Sequence, residues 1–267
     1  MEKTVRPPAV AGTFYPGERS RLDSTVRAML DSAPAIQPEL LPRMLIVPHA
    51  GYIYSGSVAA VAYRLLSQDR PVRIGLIGPS HFVAFDGLAS PDHDALATPL
   101  GLIASDPLLA HLERDGYVRR SEPAHEREHS LEVQLPFLQV MIPNFTVAAV
   151  LTGDDDPGPA ARAIATMLDA GLFVVVSSDL SHYHDHRTAG RLDRETARVI
   201  VELRESDLGR HSACGRTAVR GALRVAAERG WQCELLDLRT SGDTAGSKDR
   251  VVGYGAFVLG ALLEPAA

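Results

Sequence analysis

The chain has 267 residues, 45% apolar and 22% charged, with a net charge of −6 at pH 7. That is an ordinary globular balance with room for a sizeable core, and its acidity gives no electrostatic footprint for nucleic acid. No apolar run reaches the roughly 18 residues that a bilayer span requires, and the opening MEKTVRPPAV lacks the apolar stretch of a signal peptide.

Neither a membrane nor export is therefore expected. Two cysteines, Cys214 and Cys233, cannot form a disulfide framework in a chain this long, so the expected home is a reducing compartment, the cytoplasm. Lys3 and Lys248 are the only lysines among 27 basic residues, which argues against lysine Schiff-base chemistry. Ten histidines outnumber seven phenylalanines, and their positions carry most of the functional argument.

The first 16 residues, with RPPAVAGTFYPG, read as an extended arm punctuated by Pro and Gly. Leu22, Val26, Met29 and Leu30 recur at helical spacing. The apolar run Met44–Val47, ended by Pro48-His49, predicts a buried strand, and Ser57–Gln68 a helix. Ile74–Ile77 is a second buried strand, ended by Gly78-Pro79-Ser80-His81. Pro107–Arg114 and Ser130–Met141 read as helices, the second kinked or broken at Pro136. Phe145–Leu151 and Leu172–Ser177 follow as strands, with Pro157–Ala170 a helix between them. Leu192–Arg204 and Gly215–Arg229 are further helices; Cys233–Leu238 and Val251–Leu259 are late strands. Buried strands alternating with helices predict an α/β fold with a largely parallel sheet and helices on both faces. No linker, repeat or low-complexity tract interrupts the pattern, so residues 1–267 are expected to form a single domain.

In such a sheet, ligands sit outside the carboxyl ends of the strands. His49 follows the first core strand, His81 the second and Asp179 the Leu172–Ser177 strand, so all three reach one sheet edge. A lone histidine after a strand is ordinarily a hydrogen-bonded loop residue. Two at equivalent ends, in PHAGY and GPSHF, point equally to a shared site. Neutral imidazoles with an anionic ligand nearby suit Fe, Zn or Cu better than Mg or Ca. Cys214, in HSACGRTAV, sits at a helix start, where backbone N–H groups favour a thiolate ligand or nucleophile. A small buried hydrophobe is the equal alternative there, and the better description of Cys233.

The stretch SSDLSHYHDH, residues 177–186, is the densest polar cluster. Asp179 and His182 would serve as general acid and base, or orient a ligand; His184 and His186 read as solvated. In HEREHSLEVQLPF, His129 is a further site candidate, and Glu132 reads as a capping partner for Ser130. His93, His111 and His211 show no partner pattern. No nucleophile elbow is present, the Gly242–Lys248 stretch departs from a phosphate-binding loop, and Gly253-Tyr-Gly255 reads as a close-packing device.

Taken together, RPPAVAGTFYP, VPHAGYIYSG, GPSHF, EHSLEVQLPFL, SSDLSHY, ACGR and VVGYGAF resemble the Memo family, whose bacterial and archaeal members are named AmmeMemoRadiSam system protein B. The matches run in order from residue 6 to 257. The resemblance implies a fold similar to class III extradiol dioxygenases, which are non-haem Fe(II) enzymes. It implies metal ligands at His49 in PHAGY, His81 in GPSH and Cys214 in ACGR, with Asp179, His182 and His129 lining the same cleft. The ring-cleaving enzymes use a glutamate where this site has a thiolate, which prefers softer or redox-active metals, so ring cleavage does not carry over. The resemblance also implies association with a radical-SAM protein and an AMMECR1-like protein.

The leading expectation is one transition-metal ion, Fe(II) or alternatively Cu or Zn, in a redox or oxygenase-like protein. Two others keep the same residues. One is a Zn- or Cys214-dependent hydrolase with His182 as base. The other is a non-catalytic protein that carries metal or binds a small molecule, a peptide or a partner in the cleft.

Overall fold

Four apolar runs, Leu40–Val47, Val72–Pro79, Phe145–Thr152 and Phe173–Ser177, form the parallel centre of a mixed sheet. The structure is a computed structural model describing residues 4–66, 72–153 and 155–263. Across the sheet the four run in the order Phe145–Thr152, Val72–Pro79, Phe173–Ser177, Leu40–Val47. Their side chains alternate between two cores. Leu45 and Val47 pack with Leu22, Val26, Val58 and Phe137 on one face. Met44 and Ile46 pack with Ile164, Met167, Val219 and Leu223 on the other. A strand buried on both faces shows no polar alternation, which is why these runs stand out in the sequence as uninterrupted apolar blocks.

The α/β reading with helices on both faces holds. The parallel centre is extended by antiparallel strands: Val251–Leu262 pairs with Leu40–Val47, and Gln232–Thr240 pairs with Val251–Leu262. At the other end Gly101–Ser105 runs parallel to Phe145–Thr152 and antiparallel to Ala95–Thr98, which takes Val5–Arg6 as a parallel partner. These short strands were not expected. With two to five residues each, they carry too little periodicity to read.

Three helices begin elsewhere than periodicity suggests. The helix expected over Ser57–Gln68 spans Tyr52–Tyr63 and starts directly after Gly51; the Ser67 and Gln68 of that expectation lie outside the described residues. It is buried nearly all round, so it lacks the one-sided pattern that marks a surface helix. A Cβ at Gly56 would lie 2.6 Å from Met29 Sδ, so glycine lets this helix approach Arg19–Ser32. Pro136 does not kink a long helix; it sits in the first turn of Leu135–Met141, behind a 3-10 turn at Glu132–Gln134. The helix expected from Leu192 begins at His186, capped by Asp185, whose carboxylate accepts the Thr188 N–H at 3.0 Å.

The N-terminal arm is fastened by one buried carboxylate. Glu132 is not a cap for Ser130. It accepts from Arg6 Nη1 at 2.7 Å, from the backbone N–H groups of Ala9 and Val10 at 2.7 and 2.9 Å, and from the Tyr15 hydroxyl at 2.6 Å. Arg6 and Glu132 expose 4% and none of their side chains. Breaking a buried pair leaves an uncompensated charge and costs about 3–5 kcal/mol. Glu132→Ala is therefore expected to lose about that much stability in urea denaturation and to render the arm cleavable by protease, whereas an unchanged midpoint would show that the clasp is dispensable.

Candidate metal centre

The parallel register lays out the site. Val47 lies beside Ser177, so the two chains leave the sheet together, with His49 two residues beyond one and Asp179 two beyond the other. Asp179 Oδ1 accepts the His49 backbone N–H at 2.7 Å, and the Ser178 N–H donates to the Val47 carbonyl at 2.8 Å. On the far side of Phe173–Ser177, the strand Val72–Pro79 delivers His81 to the same edge.

Cys214 arrives from a distant part of the chain, just ahead of the helix Arg216–Glu228. Its N–H donates to the Asp179 carbonyl at 3.2 Å, and the Gly215 N–H donates to Ser178 Oγ at 3.0 Å. A Cβ at residue 215 would fall 2.5 Å from the Ser177 carbonyl oxygen. Only glycine lets the cysteine-bearing loop come this close to the strand end. The last strand, Val251–Leu262, secures the Asp179 loop: Leu180 and Ser181 exchange backbone hydrogen bonds of 2.8 Å with Gly253. Asp193, from the helix His186–Val201, accepts the Ser181 N–H at 3.0 Å. A Cβ on Gly253 would meet Asp193 Oδ2 at 2.0 Å, so its expected role as a close-packing device is what the structure shows.

One ligating atom each from His49, His81 and Cys214 lies within 4.8 Å of the others. Cys214 Sγ is 3.1 Å from His49 Nε2. His49 is buried at the floor, Cys214 is half-buried and His81 is exposed at the mouth. The hydrogen bonds behind the imidazoles assign their tautomers. Ser177 donates its hydroxyl proton to the Ser130 carbonyl at 2.6 Å and accepts from Gln134 Nε2 at 2.8 Å. It therefore meets His49 Nδ1, 2.8 Å away, as an acceptor. That places the His49 proton on Nδ1 and the Nε2 lone pair toward Cys214. Glu128 acts similarly on His81: Oε1 lies 2.9 Å from Nδ1, and Oε2 accepts the His81 backbone N–H at 2.5 Å. A carboxylate behind Nδ1 is the usual orienting partner of a ligating histidine.

Burial, reinforced by His81, His129 and His182, holds His49 well below the ordinary imidazole range. Burial likewise brings His129 down to about 4 and lowers His182. Burial works against ionisation of Glu128, but hydrogen bonds from His81 and the Ser130 backbone hold its carboxyl down to about 2. Asp179 is pushed up to about 7 by burial, despite the His49 N–H. For Cys214, where the sequence left two readings level, burial and then the Asp179 charge push the thiol up. The amides of the helix start do not offset the loss of water.

The His129 ring stacks on His81, with centroids 4.6 Å apart and planes 20° from parallel, and packs against Phe14 at 4.7 Å. His81, Glu128 and His129 form a second group with ligating atoms in reach of one another. Glu128 already accepts the backbone N–H groups of His81, His129 and Ser130, and His81 is common to both groups, so they are alternatives rather than two centres. His182 Nδ1 donates to the Leu180 carbonyl at 2.8 Å, leaving Nε2 for a cavity of about 340 Å³ that Cys214 also lines. His184 is exposed as expected yet faces this cavity, and so does His211, to which the sequence assigned nothing. His93, His111 and His186 pair with Glu122, Asp115 and Asp243; Cys233 is buried. A larger surface cavity, about 1080 Å³, lies by Arg73 and Phe145 at the opposite ends of the parallel strands and touches no part of the cluster.

Residues 6–258 match the family model described as Memo-like protein. The chain belongs to the Memo family. It is similar to the MEMO1 family protein of Nitrosopumilus maritimus, at 32% identity over 95% of this chain and 98% of that one. It is 34% identical to the MEMO1 family protein of Pyrobaculum arsenaticum, over 96% and 99%, and 35% identical to that of Ignicoccus hospitalis, over 94% and 97%. The Memo match spans the arm from Arg6, all three clustered residues and Gly253. The structure adds Glu128, Ser177 and Gln134 behind the histidines; the only hint of them in the sequence is that Glu128 opens EHS and Ser177 opens SSD. No helix among the described residues of this Memo chain is long and apolar enough to cross a membrane.

His125 is buried, its Nε2 donating to the Ala89 carbonyl at 3.0 Å, and burial lowers it to about 4. Between pH 6.5 and 4, unfolded His125 and His129 take up protons that the folded chain does not bind, so stability rises with pH through that window. Urea midpoints of the metal-free protein should accordingly fall on acidification. His125→Gln should flatten the slope by up to about 1.4 kcal/mol per pH unit. A profile that stays level across the window would contradict the buried neutral imidazoles.

Proposed function

We propose that this protein holds one transition-metal ion, Fe(II) or alternatively Cu, between His49, His81 and Cys214, and uses it in redox or oxygenase-like chemistry. The supporting observation is the convergence of one ligating atom each from His49, His81 and Cys214 while both imidazole Nδ1 atoms have partners behind them. The donor set fits such an ion: imidazole and thiolate suit Fe, Cu or Zn and not Mg or Ca. A protonated thiol 3.1 Å from a neutral imidazole is also what a cation would resolve, since ligation requires the thiolate.

When bound, the ion would supply Lewis acidity and one-electron redox capacity at positions the protein leaves open. The chain's own residues divide the rest. Ser177 and Glu128 hold the two imidazoles in their ligating tautomers. Asp179 fixes the His49 backbone and, through its main chain, the Cys214 loop. His182, with Nε2 free beside Cys214, accepts or returns protons in the cavity. His129, stacked on His81 and lowered to about 4 by burial, lines the cleft as a weak base, and Asp179 is a buried acid held near neutrality.

Cysteine-nucleophile hydrolysis draws less support. Its thiol is raised, and His182, the base that reading requires, is lowered by burial, the reverse of an activated pair. Metal carriage without turnover shares the same ligands, and oxidation of added substrates would separate it from the redox reading.

Anaerobically purified protein is expected to contain about one Fe or Cu per chain by elemental analysis, with a sulfur-to-metal charge-transfer band. His49→Ala should lose the metal, and Cys214→Ser should lose the band. Glu128→Gln, which keeps the shape but removes the charge behind His81, should weaken metal affinity roughly 10–100-fold. Wild-type protein that remains metal-free after anaerobic loading would overturn the reading.

A further inference from the structure

The cavity of about 340 Å³ that reaches Cys214 has a distinct chemistry. It is lined by His182, His184, Arg210, His211, Ala213 and Cys214. Cys214 belongs both to this wall and to the metal cluster, so the cavity opens onto the sulfur side of the proposed centre. Among the described residues lining it there are four nitrogen-bearing side chains and no carboxylate. The Arg210 guanidinium is a fixed cation, and the His184 and His211 rings can each donate an N–H, so an oxyanion finds a charged donor and further N–H groups there, whereas a cation finds no carboxylate in the lining.

The backbone is bent to build this wall. His182–His184 is a short strand paired with Val251–Leu262, and its register slips between His182 and His184. Tyr183 sits at φ 64°, the left-handed region, which costs a non-glycine residue free energy. The bulge turns Tyr183 out of the cavity, 65% exposed, with the Arg250 guanidinium 5.2 Å from its ring centroid, and leaves both flanking histidines lining the cavity. At the rim, Arg210 is 77% exposed and pairs with Asp155 at 3.2 Å. Asp155 has a second partner, Arg216, at 3.4 Å, so Arg210 can turn to a ligand without leaving that carboxylate unpaired. Such exposed pairs contribute little to stability.

Building on the metal-site reading above, we propose that the molecule the site acts on is a small oxyanion, a carboxylate or phosphate compound of roughly ten to fifteen non-hydrogen atoms by cavity volume. Arg210 and His211 hold its anionic group at the rim, His184 adds a donor along the wall, and the reacting end lies between His182 and Cys214. The rim thus selects by charge, and the floor does the chemistry.

The test uses full-length protein loaded with Co(II), whose thiolate charge-transfer band reports an assembled site, and calorimetric titration with benzoate, inorganic phosphate and the neutral isostere benzamide. Benzoate or phosphate should bind in the millimolar range or tighter and benzamide should not; which of the two anions binds identifies the headgroup. Arg210→Gln and His211→Gln should each weaken the anion roughly ten-fold while leaving the Co(II) band unchanged. An intact band with no anion binding, with benzamide binding equally, or with both variants at wild-type affinity overturns the oxyanion proposal. Absence of the band in wild type instead overturns the metal reading. Anion binding to that metal-free protein, weakened by Arg210→Gln, would still uphold the rim assignment.

Discussion

Everything at the candidate centre depends on the register of three parallel strands. With Val47 beside Ser177 and Ile77 beside Val176, the chain leaves the sheet three times within one patch. Polar residues that no core strand could carry appear there at once. The side-chain period of a strand is two, so a slip of one residue would exchange the two cores and move every exit point. The alternating burial of Met44, Leu45, Ile46 and Val47 between the two faces therefore does more than stabilise the fold. It fixes where His49 and His81 stand relative to Ser177.

A second constraint lies in the ten residues from His125 to Gln134, where nearly every polar side chain faces inward to a different task. His125 fills a buried gap, Glu128 orients His81, His129 walls the cluster, Glu132 clasps the arm and Gln134 feeds the Ser177 relay. Arg6 binds this segment along its length, donating to the His125 and Glu128 carbonyls at 2.9 and 2.8 Å as well as to Glu132. The extended arm is thus part of the scaffold behind the site. That explains why a Pro- and Gly-punctuated stretch with no regular structure carries the motif RPPAVAGTFYP: its backbone N–H groups at Ala9 and Val10 are consumed by a buried carboxylate.

The legible part of the protein was what local pattern dictates. Uninterrupted apolar runs identified the central strands, and strand-end position alone brought His49, His81 and Asp179 to one edge. Cys214 could not be placed that way. Its approach rests on Gly215 lying against the Ser177 carbonyl, a contact between positions 38 residues apart that no spacing rule encodes; only the Memo motifs joined it to the histidines. Glu128, Ser177 and Gln134 were equally hidden, because a buried hydrogen-bond partner has the composition of any polar loop residue. The sequence left Cys214 level between a thiolate and a small buried hydrophobe; a helix start offers at most a modest stabilisation of charge, and burial of the sulfur pushes its thiol up.

The same burial that keeps Cys214 protonated also accounts for the order in which the site is built. Its three candidate ligands come from segments that only the folded sheet brings together, so the unfolded chain has no comparable site. The two cores, the Glu132 clasp and the Ser177 relay that carry these segments are built from protein groups. His49 is kept neutral by burial, and Ser177 and Glu128 hold the Nδ1 sides of His49 and His81. Holding the ligands in a hydrogen-bonded state removes most of the reorganisation that binding would otherwise require. A cation ligated there would take the place of the Cys214 thiol proton, so the affinity of the centre would rise with pH as that proton becomes easier to lose.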